Sequence, residues 1–121
     1  MKSKTTKRVF SSPLGIQQGT RILFSDFATD GPMWTGSGDR ELRYQVKFAE
    51  AFRDLPIVMV GISLWDTDHQ TNLRADLSAE QVTVKGFDLV FRTWGDTRIA
   101  RLRADWTALG PMRDEDDWEI D

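Results

Sequence analysis

The sequence predicts an all-β fold, an antiparallel β-sandwich, on three observations. From residue 42 onward, apolar and polar side chains alternate with a period of two in several short runs. Turn signals built on Gly, Pro and Asp separate those runs at the spacing of a sandwich. Helical periodicity is almost missing, and only residues 49–54 and 78–80 have the composition for a turn or two of helix.

In chain order, residues 11–38 are punctuated by Pro13 and Gly31-Pro32 and read as loops, with one early strand at 21–24. Over 42–48, Leu42, Tyr44, Val46 and Phe48 alternate with Arg43, Gln45 and Lys47, a half-buried strand. Residues 57–65 follow Pro56 and are nearly all apolar, which predicts a central strand buried on both faces. Residues 66–71 are polar and turn-like. Over 72–77, Leu73, Ala75 and Leu77 oppose Asn72, Arg74 and Asp76.

In 81–94, Val82 and Val84 share one parity, and Phe87, Leu89 and Phe91 share the other. A β-bulge at Gly86 between them would keep both sets on the core. Asp88, Val90, Arg92 and Trp94 then point away from it. After a turn at Gly95-Asp96, residues 97–108 place Ala100, Leu102, Ala104, Trp106 and Ala108 on one face and Arg101, Arg103 and Asp105 on the other, with Arg98 in solvent at the start.

The 121 residues allow one domain with one core. Residues 1–12, with Lys2, Lys4, Lys7 and Arg8, read as a flexible basic arm. Residues 13–110 form the sandwich, and 111–121 read as a flexible acidic tail. Four bases on an otherwise acidic chain, of net charge −3, are too few for nucleic-acid binding. The longest apolar stretch, 57–60, is broken by Gly61, so no membrane insertion is expected. There is no Cys, which argues against a disulfide-stapled secreted domain. Residues 9–16 cannot serve as the apolar core of a signal peptide. Synthesis in the cytoplasm is the expectation. Action outside the cell would follow lysis, or release as part of a phage-like particle.

Catalysis finds little support. His69 is the only histidine, and it sits in Asp66-Thr67-Asp68-His69, where oxygen and nitrogen donors could suggest a metal or a hydrolase. A calcium loop needs a glycine and a distal Glu that are missing here, and zinc needs more His or Cys. No nucleophile elbow, P-loop or dinucleotide fingerprint occurs. The segment reads as a polar turn and the chain as a non-enzyme, with no metal or cofactor.

Binding is better served. A sugar needs an aromatic plane against its C–H face and directional partners for its hydroxyls. Trp94, at a strand end beside a Gly-Asp turn, with Arg74, Asn72 and Asp96, has the right chemistry. Residue types alone slightly favour a plainer outcome: Trp94 folded onto the sandwich edge and Arg74 paired with Asp76 or Asp96. Arg101 and Arg103 could line a solvated face or a contact between protomers.

Arg40-Glu41-Leu42, Val46-Lys47-Phe48, Phe52 and Leu55-Pro56-Ile57-Val58 are followed by Asn72-Leu73-Arg74, Val82-Thr83, Gly86-Phe87, Thr93-Trp94, Asp96-Thr97 and Asp105-Trp106. Over residues 40–108 this order and spacing resembles the H-type lectin domain of snail agglutinins and of the C-terminal part of discoidins. The resemblance implies a six-stranded antiparallel β-sandwich and a homotrimer with sugar sites at protomer boundaries. It also implies galactose or N-acetylgalactosamine bound without a metal. Arg74 matches the hydroxyl-binding Arg and Trp94 the sugar-stacking Trp. Asp39, with Gly38 beside it, comes nearest to the family's acidic group. Two positions depart: Gly95 replaces a His of the snail lectins, and Ala100 replaces a pocket-walling aromatic, so the sugar should differ or the pocket be weaker. The missing cysteines point to a bacterial or phage-associated version. The expected partners are cell-surface or capsular glycans. The alternative is a structural trimeric attachment module whose tails dock on other particle proteins.

Overall fold

Side chains that alternate between water and core build two antiparallel sheets of three strands each. The structure, a computed structural model, describes residues 5–10 and 13–113. Its strands are β1 (Leu14–Phe24), β2 (Arg40–Lys47), β3 (Ile57–Thr67), β4 (Asp76–Glu80), β5 (Gly86–Thr93) and β6 (Ile99–Pro111). One-turn helices α1 (Asp26–Thr29) and α2 (Pro32–Thr35) lie between β1 and β2. The first sheet runs β1–β6–β3 and the second β2–β5–β4. Their inner faces meet over Val46, Phe48, Phe52, Phe87, Leu89, Phe91, Leu102, Ala104 and Ala108. A large apolar side chain buried this way contributes about 1.5–3 kcal/mol.

Several expectations need correction. Strand β3 is not central: it pairs only with β6 and forms an edge of its sheet. Val58, Val60 and Ile62 face inward, whereas Ile57, Met59 and Trp65 are exposed. A continuous apolar run suits a strand covered on both faces, and among the described residues no element supplies the outer cover.

Gly86 is not a bulge. It opens β5 after a turn in which Gln81 adopts a left-handed φ of 53°. The Thr83 amide donates to the Gly86 carbonyl, and the Thr83 hydroxyl accepts from the amides of Lys85 and Gly86. The switch of parity comes from this reversal, and Val82 and Val84 still pack on the core from the turn. Glycine is needed because a β-carbon at 86 would strike the Val46 carbonyl.

The run 72–77 is strand only from Asp76, and Leu73 is exposed. Residues 78–80 belong to β4, and 49–54 form no helix, being pinned by Phe52 N–H to Val84 O and Arg53 N–H to Pro111 O. The early strand extends back to Leu14, and the two helices occupy part of the segment expected to be loop. Arg98 is only half in solvent. It stacks on Trp34, donates to the Trp34 carbonyl and pairs with Asp68. Strand β6 reaches Pro111, one residue into the segment read as tail. Of the arm, residues 1–4, 11 and 12 lie outside the described residues, as do 114–121 of the tail.

The outer face of the second sheet carries an ion lattice. Arg43 pairs with Asp88 at 2.9 Å and Glu80 at 3.1 Å, and Arg92 pairs with Glu80 at 2.6 Å and Glu41 at 2.8 Å. Hydrogen bonds from Arg92 first, then Arg43, lower the Glu80 pKa to about 2. Val90 faces outward with this lattice yet is wholly buried. On the outer face of the first sheet, Leu14, Ile16, Ile22, Ile57 and Met59 stand exposed.

Candidate functional site

The turn from β5 to β6 is sewn to the segment before β4 by two buried threonines. Thr93 donates its hydroxyl to the Arg74 carbonyl at 2.5 Å, and Thr97 donates to the Asn72 carbonyl at 2.6 Å while accepting from the Arg74 amide at 3.0 Å. Buried hydroxyls must find partners, and these find them across a chain separation of about twenty residues. The stitching brings Asn72 and Arg74 alongside the tip formed by Trp94, Gly95 and Asp96.

Asp96 accepts from the Arg74 guanidinium at 2.5 Å and from the amide and side chain of Asn72 at 3.4 Å. Arg74 foremost, then the Asn72 amide, holds its carboxyl below the usual carboxylate range. The pairing weighed for Arg74 is therefore present, with Asp96 as the acid. Gly95 has φ of 69°, and a β-carbon there would lie 3.1 Å from the Arg74 guanidinium. A side chain at 95 would thus meet both backbone strain and Arg74.

Trp94 is 43% exposed, so it does not lie flat on the sandwich edge. It walls a cavity of about 430 Å³ with Asp39, Arg40, Glu41, Asp76, Arg92 and Thr93. The Gly38 amide donates to the Gly95 carbonyl at 2.9 Å, which carries Asp39 to this cavity within one chain. The expected residues therefore gather in two groups. Asn72, Arg74 and Asp96 form one, Gly38, Asp39 and Trp94 the other, and Gly95 touches both. Ala100 is buried and does not line the cavity.

Sequence reasoning missed Arg40, Glu41, Asp76 and Arg92 as cavity walls, and Thr93 and Thr97 as the stitch. A pair of threonines flanking Trp-Gly-Asp was the available signal for the stitch. Asp68 is engaged by Arg98 and the Gln70 amide, and His69 projects into solvent. Among the described residues no three His, Cys, Asp or Glu side chains converge as a metal site would require.

A larger trough of about 520 Å³ lies on the first sheet, lined by Gln18, Thr20, Arg103 and Asp105 among others. Its acid is already satisfied, since Asp105 accepts from the hydroxyls of Thr20 at 2.6 Å and Ser63 at 2.9 Å. The smaller cavity has the exposed aromatic, together with two carboxylates, Asp39 and Asp76, that have no ion-pair partner among the described residues. An aromatic wall beside open acceptors and an arginine can hold a polyhydroxylated ring.

Comparison with known proteins agrees with this chemistry. The model of the H-type lectin domain matches residues 43–109. A protein of Fuscovulum blasticum named ATP synthase subunits region ORF 7 is 60% identical over 108 residues, covering 89% of this chain and 94% of its own. Discoidin-2 of Dictyostelium discoideum is 37% identical over 82 residues, which is 66% of this chain but only 32% of the discoidin. The solved structure of wild-type discoidin II from the same organism superposes with a TM-score of 0.71 at 29% identity, covering 85% of this chain and 39% of that one.

Proposed function

This chain belongs to the H-type lectin domain family, and from that premise we propose that it binds cell-surface or capsular glycans, of galactose or N-acetylgalactosamine type, at the β5–β6 turn. The observation that carries the reading is the meeting of Trp94 and Asp39 on one cavity, next to the Arg74–Asp96 pair. Trp94 offers the stacking plane, Asp39 accepts from hydroxyls, and Arg74 donates. Asp96, itself bonded by Asn72, holds Arg74, and Gly95 gives it room. The smooth surface left by Gly95 favours a sugar other than the one preferred where a His stands.

A homotrimer is part of the proposal. The exposed apolar residues of β1 and β3 support it, because a second copy could cover them. Three weak sites on one body would gain avidity for a repeating glycan surface, as adhesion requires.

A glycan array with wild type, Trp94→Ala and Arg74→Ala tests the reading. Wild type should bind a defined sugar class, and each variant should lose more than about tenfold in affinity while keeping the assembly. Equal binding by all three would place the site elsewhere. No binding by a folded wild type would favour the attachment-module reading.

A further inference from the structure

Arg40 opens β2 opposite Thr93, and its guanidinium directs four hydrogen bonds to main-chain carbonyls. Its Nε donates to Gly38 O at 3.0 Å, Nη1 to Pro32 O at 3.2 Å and Met33 O at 3.4 Å, and Nη2 to Gly95 O at 3.3 Å. No carboxylate pairs with it among the described residues. The three segments it joins are α2, the loop before β2, and the tip of the β5–β6 turn. Without it the last two would be held together there by the single bond from the Gly38 amide to Gly95 O. The side chain is half-buried, and of its four acceptors only the Met33 carbonyl belongs to a buried residue.

We infer that Arg40 is the positioning residue of the sugar site, clamping the Gly38–Asp39 segment onto Gly95 so that Asp39 faces Trp94 before the sugar arrives. The inference rests on the sugar-site reading. Preorganisation of this kind removes the entropy that binding would otherwise spend on ordering the loop. Only a guanidinium fits, since a fork of fixed planar donors reaches carbonyls in three directions, whereas a Lys ammonium is a single point on a flexible stem. Asp26 provides the contrast. Its carboxylate accepts from the Met33 amide at 2.8 Å and so pins α2 without touching Gly38 or Gly95.

The test measures saccharide affinity, melting temperature and hydrogen exchange of the Gly38 amide in wild type, Arg40→Lys, Arg40→Gln and Asp26→Asn. In wild type the Gly38 amide should exchange slowly although the residue is on the surface. Both Arg40 variants should speed that exchange and weaken sugar binding by about tenfold or more, the loss of charge-assisted bonds. Asp26→Asn should lower the melting temperature while leaving both other readouts unchanged. A fast-exchanging Gly38 amide in wild type overturns the inference and needs no variant to fold. So does unchanged exchange in Arg40→Lys, or an affinity loss in Asp26→Asn equal to that in Arg40→Lys. A wild type that binds no saccharide sinks the sugar-site reading alone, and the exchange data then decide whether the clamp exists.

Discussion

On the outer face of β2–β5–β4, Glu41, Arg43, Glu80, Asp88 and Arg92 are cross-linked into one lattice that seals Val90 from water. On the outer face of β1–β6–β3, Ile16 is 63% exposed and Met59 53%, and the register sets Ile16, Leu109 and Ile57 in one row across the sheet. Both faces belong to the same sandwich and are made of the same strand geometry. One is finished against water by its own side chains, and the other carries apolar surface that the described residues leave open. An apolar face of this kind on a small domain is the surface that the proposed trimer would cover.

Putting charge on that open face has the largest expected effect. Ile16→Asp with Met59→Asp should convert a trimeric wild type into monomers, its mass falling to a third in sedimentation or light scattering. Binding to a glycan-coated surface should then fall by about a hundredfold or more through lost avidity. A wild type that is monomeric at every concentration measured would remove the contrast between the faces.

A smaller effect tests the sealed face. Val90→Ala removes two methyl groups from a fully buried site and should cost about 1.5 kcal/mol in urea unfolding. Met59→Ala, compared in an Ile16→Asp background that keeps Met59, should stay within about 0.5 kcal/mol because its side chain is already more than half in water. Equal costs would mean that the lattice covers nothing that the open face lacks.

The same contrast explains what was legible in the sequence. Strands β2 and β6 alternate cleanly because one face meets the core and the other carries charge, so their parity could be read directly. Strand β3 was legible as a strand, but its place at the sheet edge was not, since an outer row of Ile57 and Met59 looks the same whether it is covered or not. The parity switch near Gly86 is likewise the same for an inserted residue and for a turn. Strand β1 was mostly missed because Gly15, Gln17 and Gly19 occupy the partly buried parity where an apolar signal would show. Helices of one turn are too short to display a period. Arg74, Trp94 and Asp96 could be picked as candidates from side-chain chemistry and from family resemblance, and the structure sets them around one turn. The roles of Arg40, Thr93 and Thr97 were not, because their key partners are main-chain carbonyls, which no residue type announces.

The smallest predicted effect is in acid, and its sign follows from Glu80. Its ordinary pKa of 4.5 is lowered to about 2 in the folded chain, first by Arg92 and then by Arg43. A depressed carboxyl pKa contributes stability that is fully present above the unfolded value and is lost as pH falls through the folded one. The lattice should therefore support the fold above about pH 4.5 and lose that support progressively toward pH 2. Glu80→Gln should melt lower than wild type at neutral pH, and the gap should close in acid as the wild type loses the same charge. Added salt should narrow the gap at neutral pH, because the lattice is open to solvent and its attractions are screened. Asp96 and Asp105 also have lowered pKa values, so both proteins should retain some acid sensitivity. A gap that stays constant from neutral pH down to pH 2 would show that Glu80 acts through packing alone, and the sealed face would then owe its closure to shape, not to charge.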